Sequence, residues 1–248
     1  MIDLLRDAAN SGTPVIVTEN DAHEIIDVRA YIPDPNAPPP PPFPKPVIPQ
    51  PDLVALILER LRRLRLIQLL LWFSALSRSR AQQIFDEVAA TSCDPATIAA
   101  PCIPFMYPDD GCWARAHEMC RLMIGAGLHP RKVWIQGQLS VDTRNSPDCF
   151  VGWAWHVAPT LRVRGTSFPQ VHIMVIDPAI FTEPVTEATW KGVQNDPNAT
   201  LTATDASDFY GGSTDPSYTQ TNTDLARFRL ALQLRTTEFG PPPYAHCP

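Results

Sequence analysis

No C-x-x-C pair occurs in this chain, which removes the usual spacing of a structural zinc site. Nor is there an excess of positive charge. The formal net charge is −6, which argues against general binding to nucleic acid or anionic lipid, since both favour basic surfaces. A secretory signal is not visible: Met1-Ile2-Asp3-Leu4-Leu5-Arg6-Asp7 has no basic start followed by an apolar run. Nor does any uninterrupted apolar run reach about 20 residues, the length of a membrane span. The greasiest segment, 53–76, is broken by Glu59, Arg60, Arg62, Arg63 and Arg65, so no transmembrane segment is expected. Internal repeats are absent too, and the large excess of arginine over lysine suggests no particular function.

What is present is enough for one packed domain with appendages: 248 residues, 44% of them apolar. Proline is the outlier. There are 28, and eleven fall between Pro33 and Pro51, where average composition would give about 5% of residues. Residues 33–52 therefore read as a proline-rich linker, extended as polyproline II and unable to join a sheet or helix. A semi-rigid spacer is the plain reading; a ligand for a proline-binding module is the sharper one.

Before the linker, residues 1–32 carry a β-hairpin. Its strands are Pro14-Val15-Ile16-Val17-Thr18 and Glu24-Ile25-Ile26-Asp27-Val28, around a polar turn at Glu19-Asn20-Asp21-Ala22. After it, residues 53–78 read as an amphipathic helix, with Leu53, Leu56, Ile57, Leu61, Leu64, Ile67 and Leu71 at helical spacing. The expectation is that this helix packs on the next domain; a membrane-surface helix is the alternative. Residues 79–248 read as one compact domain. Helices are expected over 81–90 and 112–126, the latter ended by Gly127, with strands at 132–138, 149–158, 161–164 and 171–176. Beyond Pro197 the chain reads as a tail rich in Thr, Asp and Pro, with a last helix near 225–234. Helices first and an antiparallel sheet after them give the class α+β.

Three segments carry chemistry. In Tyr107-Pro108-Asp109-Asp110-Gly111-Cys112-Trp113, Asp109 or Asp110 can cap the helix and Gly111 gives the backbone room to turn. Cys112 then falls in the first turn. There the helix dipole and unpaired N–H groups favour a thiolate, and its own N–H is a natural half of an oxyanion hole. The plain alternative is a buried structural cysteine. In Val151-Gly152-Trp153-Ala154-Trp155-His156-Val157-Ala158, strand alternation puts Val151, Trp153, Trp155 and Val157 on one face. Gly152, Ala154, His156 and Ala158 take the other, leaving a cysteine-bearing helix room to approach the imidazole; a hydrogen-bonded core histidine is the alternative. Asp177 ends the apolar strand Ile173-Met174-Val175-Ile176, where it can orient a neighbouring imidazole or simply serve a turn.

Together these make a Cys-His-Asp arrangement, in which the base raises the thiolate fraction and the carboxylate orients the base. No metal or cofactor is called for. A nucleophilic Cys112 must stay free, and Cys120, eight residues on in the same helix, packs as a small hydrophobe. Cys93, Cys102, Cys149 and Cys247 then allow three disulfide connectivities, and two disulfides would imply an oxidising compartment.

The segment from Ile103-Pro104-Phe105-Met106-Tyr107 through Gly111-Cys112-Trp113-Ala114-Arg115-Ala116-His117 resembles the nucleophile segment of the bacterial protein-glutaminases. Trp155-His156-Val157-Ala158 and Ile176-Asp177-Pro178-Ala179-Ile180-Phe181 are similar to that family's histidine and aspartate segments. They stand in the same order, 156 − 112 = 44 and 177 − 156 = 21 residues apart, and Pro184-Val185-Thr186 and Trp190 continue the match. The resemblance implies a transglutaminase- and papain-like core, with a nucleophile-bearing helix packed on an antiparallel sheet. It implies Cys112 as nucleophile, His156 as acid/base and Asp177 as orienting carboxylate. The implied activity turns glutamine side chains of proteins or peptides into glutamate and releases ammonia through a cysteine thioester, without a metal. By the same resemblance, residues 1–52 would act as an inhibitory pro-segment and the protein would work outside the cytoplasm. Arg115 reads as a structural donor, and His117 lies off the Cys112 face. Three readings compete: a transglutaminase, a cysteine peptidase with the same triad, and a narrow-target effector or interaction protein.

Overall fold

The structure, a computed structural model, describes residues 10–11, 15–19, 25–30 and 53–248. The chain divides into two compact units, Met1–Asp52 and Leu53–Pro248. In the first, β1 (Val15–Glu19) and β2 (Ile25–Ala30) pair antiparallel, Val17 opposite Val28. The turn joining them and the proline-rich residues 33–52 lie outside the described residues.

The second unit opens with α1 (Leu53–Ser74). The expectation that it packs on the following domain is not met: Leu61, Leu64, Leu66, Ile67, Leu70 and Phe73 are all at least half exposed. At 3.6 residues per turn, Arg60, Arg62, Arg63 and Arg65 take up most of the circumference, and Gln68 interrupts the arc left to Leu61, Leu64 and Leu71. Only its end is tied down, where Arg164 lies over the Trp72 ring at 4.5 Å and donates to the Trp72 carbonyl at 3.1 Å.

α2 (Arg78–Ala89) starts at Ser77, whose hydroxyl accepts from the Arg80 N–H, an ordinary serine cap. It buries Ala81, Ile84, Phe85 and Val88, the spacing of one helical face. α3 (Cys112–Gly125) is buried on nearly every side. A five-stranded antiparallel sheet follows, formed by β3 (Arg131–Asp142), β4 (Phe150–Arg164), β5 (Val171–Val175), β6 (Val185–Thr186) and β7 (Thr200–Asp205), in the order β6-β5-β4-β3-β7. α4 (Glu187–Gly192) and α5 (Thr219–Phe239) complete the unit, and the class is α+β.

Two apolar layers flank the sheet. On one face Val157, Leu161 and Val163 of β4 meet Phe85 of α2, Met119 and Met123 of α3, and Leu225 of α5. On the other face Val133, Ile135, Leu139, Ala158 and Val175 enclose Trp190 of α4. Fully burying one such side chain is worth roughly 1.5–3 kcal/mol, so these layers fix α3 against β4.

Three features differ from the sequence expectation. β4 is one strand, not two, and runs through Pro159. The Pro159 carbonyl accepts from the Ile176 N–H at 2.9 Å, just past the end of β5, so the missing proline donor faces a place where no ladder bond is needed. β7 lies in the supposed tail; its side chains are nearly all exposed, so it carries no buried apolar face to announce it. The register between β3 and β4 also slips between Gln136 and Leu139, and this bulge breaks the strict alternation along β4.

Candidate active site

Cys112 is the first residue of α3, 5% exposed, with a free thiol. Neither Asp109 nor Asp110 caps the helix as expected. The cap is Gly111, with φ 79° and no side-chain cap bond, because the Asp110 carboxylate is taken by the Gly111 N–H at 2.8 Å. Glycine is required twice over at this position. Its left-handed backbone disfavours a side chain, and a Cβ would lie 2.3 Å from the Phe228 ring of α5. Asp109 instead pairs with Arg235 of α5, whose other nitrogen reaches the carbonyls of Met106 at 2.6 Å and Asn145 at 2.8 Å. The guanidinium also lies over the Tyr107 ring at 4.4 Å, so one buried arginine pins the approach to the nucleophile helix.

His156 (1% exposed) and Asp177 (3%) come together as the strand order requires. β5 runs antiparallel beside β4, and Asp177 follows directly after its last bonded residues. The imidazole Nε2 donates to Asp177 Oδ2 at 2.8 Å, and the indole N–H of Trp190 donates to the same oxygen at 2.9 Å. Nδ1 is buried without a hydrogen-bond partner, and Cys112 lies near enough to help raise the pKa of the ring.

The imidazole is not set among small residues as strand alternation suggested. Trp153 stacks on it, centroids 4.7 Å apart and planes 10° from parallel, and Trp190 lies 5.5 Å away on a tilt. Trp153 leaves the face of Trp155 at the bulge and joins the opposite layer with its strand partner Leu139. Its indole N–H reaches the carbonyls of Pro108 at 3.1 Å and Asp109 at 3.0 Å, tying β4 to the loop before α3.

Burial alone would lower the pKa of His156. The Asp177 charge and hydrogen bond, with those of Cys112, outweigh it and raise the value to about 9. Burial acts on Asp177 in the opposite sense, but His156, the Trp190 N–H and the charge of Arg115 hold its carboxyl below the usual range. The site therefore favours an imidazolium beside a carboxylate. Arg115, 2% exposed, donates to the carbonyls of Tyr107 at 2.9 Å and Asp110 at 2.5 Å, as a structural donor should. His117 is turned away, toward Lys132, whose ammonium lies 2.9 Å from Nδ1.

Of the other cysteines, Cys120 is free and buried, and burial pushes its thiol up to about 12, a value that suits packing. Disulfides join Cys93 to Cys102 and Cys149 to Cys247. Cys149, His246 and Cys247 lie close enough to suggest a metal site, but both sulfurs are spent in the second disulfide. Sequence reasoning missed Arg235 and Phe228. Neither stands near a chemical motif, and the partners named above lie 90 or more residues upstream.

A family model described as Glutaminase matches residues 81–194, the stretch that holds Cys112, His156, Asp177 and Trp190. A crystal structure of protein-glutaminase is 28% identical, with a TM-score of 0.55 over 63% of this chain and 90% of that one. Over these residues the chain is similar to the protein-glutaminases. The NMR structure of protein-glutaminase from Chryseobacterium proteolyticum is 27% identical, with a TM-score of 0.55 over 63% of this chain and 89% of that one. A crystal structure of pro-protein-glutaminase shares the fold at 23% identity and a TM-score of 0.55, covering 92% of this chain and 79% of that one. No curated protein matches the chain.

Proposed function

We propose that this protein hydrolyses the side-chain amide of glutamine in proteins to glutamate and ammonia, with Cys112, His156 and Asp177 as its triad. The observation that carries the reading is the buried His156–Asp177 bond at 2.8 Å, with the remaining imidazole nitrogen unpartnered and Cys112 near the ring. Cys112 Sγ attacks the carboxamide carbon and forms a tetrahedral oxyanion. The Cys112 N–H, at the first helical position and so without an intrahelical acceptor, points a donor at that charge. Protonated His156 delivers its proton to the departing ammonia, leaving a thioester. The neutral imidazole then takes a proton from water, hydroxide adds to the thioester, and collapse releases glutamate and the thiol. Asp177 holds the ring and stabilises its charged form throughout.

Transglutamination and peptide cleavage use the same first step, and the acceptor separates them. The experiment is an ammonia assay on a glutamine-bearing protein, with free glutamine, an added amine and chain integrity followed in parallel. Ammonia release without amine incorporation or cleavage is expected, and Cys112→Ala should abolish it while leaving the circular dichroism unchanged. Full activity in that variant would remove Cys112 from the mechanism.

Residues 1–52 are proposed to act as an inhibitory segment ahead of the unit Leu53–Pro248. The shared fold with a pro-protein-glutaminase over 92% of this chain supports this. Removing them should raise the rate on a small glutamine peptide; an unchanged rate would sink the idea.

A further inference from the structure

The loop between β7 and α5 is held at both ends from below. Lys132 of β3 is fully buried and donates to the Asp208 carbonyl and to His117. An ammonium has no lone pair, so His117 Nδ1 must accept, and its proton sits on Nε2, facing the Asp215 carbonyl at 3.3 Å. The two buried side chains thus grip the loop at residues 208 and 215. Between those points it folds as a tight hairpin. Phe209 N–H bonds the Ser213 carbonyl at 2.7 Å, Ser213 N–H bonds the Tyr210 carbonyl at 3.0 Å, and Gly211 and Gly212 take positive φ at the tip.

Tyr210 projects from that tip and stays half exposed. Its ring lies 5.6 Å from Trp113 and 5.4 Å from Trp155. Trp113 directly follows Cys112, and Trp155 directly precedes His156. Two cavities open on either side of the tyrosine. One, of about 530 Å³, has Trp113, Phe209 and Gln220 on its walls; the other, of about 370 Å³, has Trp134, Trp155 and Thr202. Tyr210 is the one residue common to both linings.

We infer that Tyr210 is a specificity-determining residue: it divides the substrate surface beside the triad into two subsites for the residues flanking the target glutamine. The subsite walled by Trp134, Trp155 and Tyr210 takes a large apolar or aromatic side chain. Three ring faces offer such a side chain stacking contacts, the threonines of β7 close the pocket, and Asp208 is the one charged residue in its lining. Lys132 and His117 are positioning residues that act through the loop. The inference rests on the protein-glutaminase reading.

The test uses the full chain and pairs of glutamine peptides that differ only at the residue before or after the glutamine, Phe against Gly. Wild type should favour Phe on one side by about tenfold or more in kcat/KM, the usual discrimination by an apolar pocket. Tyr210→Ala should collapse that ratio through KM, Tyr210→Phe should keep it, and Lys132→Met should weaken it in the same direction. Equal wild-type rates for Phe and Gly on both sides would overturn the inference. So would a Tyr210→Ala protein that slows both peptides alike. Calorimetry of the same peptides with Cys112→Ala reads the subsite without turnover. Selective binding lost on adding Tyr210→Ala supports it, and equal binding of both peptides refutes it. Absence of ammonia from every peptide would instead strike the catalytic reading.

Discussion

Asp177→Asn isolates the charge of the triad carboxylate. An asparagine Oδ1 placed where Oδ2 now lies can still accept from His156 at 2.8 Å and Trp190 at 2.9 Å, so ring orientation and tautomer are kept. What goes is the negative charge that overcomes burial. His156 is raised from 6.5 to about 9, which favours its charged form by roughly 3 kcal/mol, or about two orders of magnitude. Burial remains in the variant and acts the other way, so the pKa of His156 should fall clearly below its wild-type value and kcat/KM for ammonia release should drop by about two orders of magnitude. Stability carries the same signature. The folded pKa of His156 lies above its unfolded value, so its contribution is whole below about pH 6.5 and is lost as pH rises through about 9. Asp177 lies below its unfolded value, so its contribution is present above about pH 4 and is lost as pH falls further. Wild-type melting temperature should decline between pH 6.5 and 9, and the Asp177→Asn protein should lose that decline. The assays are ammonia release against pH, an NMR titration of the His156 ring, and thermal melts. An Asp177→Asn enzyme at wild-type rate, with His156 still near 9, would refute the reasoning.

Gly111→Ala meets both the left-handed backbone and the Phe228 ring 2.3 Å from the new Cβ, so it should cost about 3 kcal/mol and misplace Cys112. A melt at the wild-type temperature with full activity would count against this account of the helix start. Cys247→Ser opens a disulfide whose ends are 98 residues apart and should lower unfolding stability by about 2–4 kcal/mol in denaturant titration, while ammonia release at 25 °C persists. Loss of activity without loss of stability would assign that sulfur a role it lacks here.

The sequence made the chemistry easier to read than the supports of that chemistry. Apolar runs bounded by turn residues place α2, α3 and β3 to β5, because those elements bury much of their surface. β7 escaped notice because an exposed edge strand of threonines has no face to bury. Trp153 was assigned to the wrong side because strict alternation cannot foresee a bulge in the partner strand, set by the pairing of Leu139. Asp109 looked like a helix cap because the sequence shows its position and not Arg235, which claims it from 126 residues away. Helix α1 looked amphipathic from its leucines, but four arginines and Gln68 narrow the stripe that those leucines share. Local signals thus singled out Cys112, His156 and Asp177, while the residues that hold them still are matters of tertiary contact.

The proposed triad, being buried, must solve a charge problem, and Arg115 completes the solution. Cys112, His156 and Asp177 are all at least 95% buried, where an isolated ion would cost several kcal/mol. Asp177 is charged in every step of the proposed cycle. Arg115, equally buried and one helical turn from Cys112, carries the opposite charge and acts on both Asp177 and Cys112. With that pair balanced, moving a proton between Cys112 and His156 changes the distribution of charge in the site but not its sum. The cycle therefore begins from a neutral interior in either protonation state, and no net charge has to be desolvated before attack. The two carbonyls that face Arg235 and the two that face Arg115 belong to the same stretch before α3 or to the loop beside it, so the buried arginines also hold the backbone that leads to Cys112.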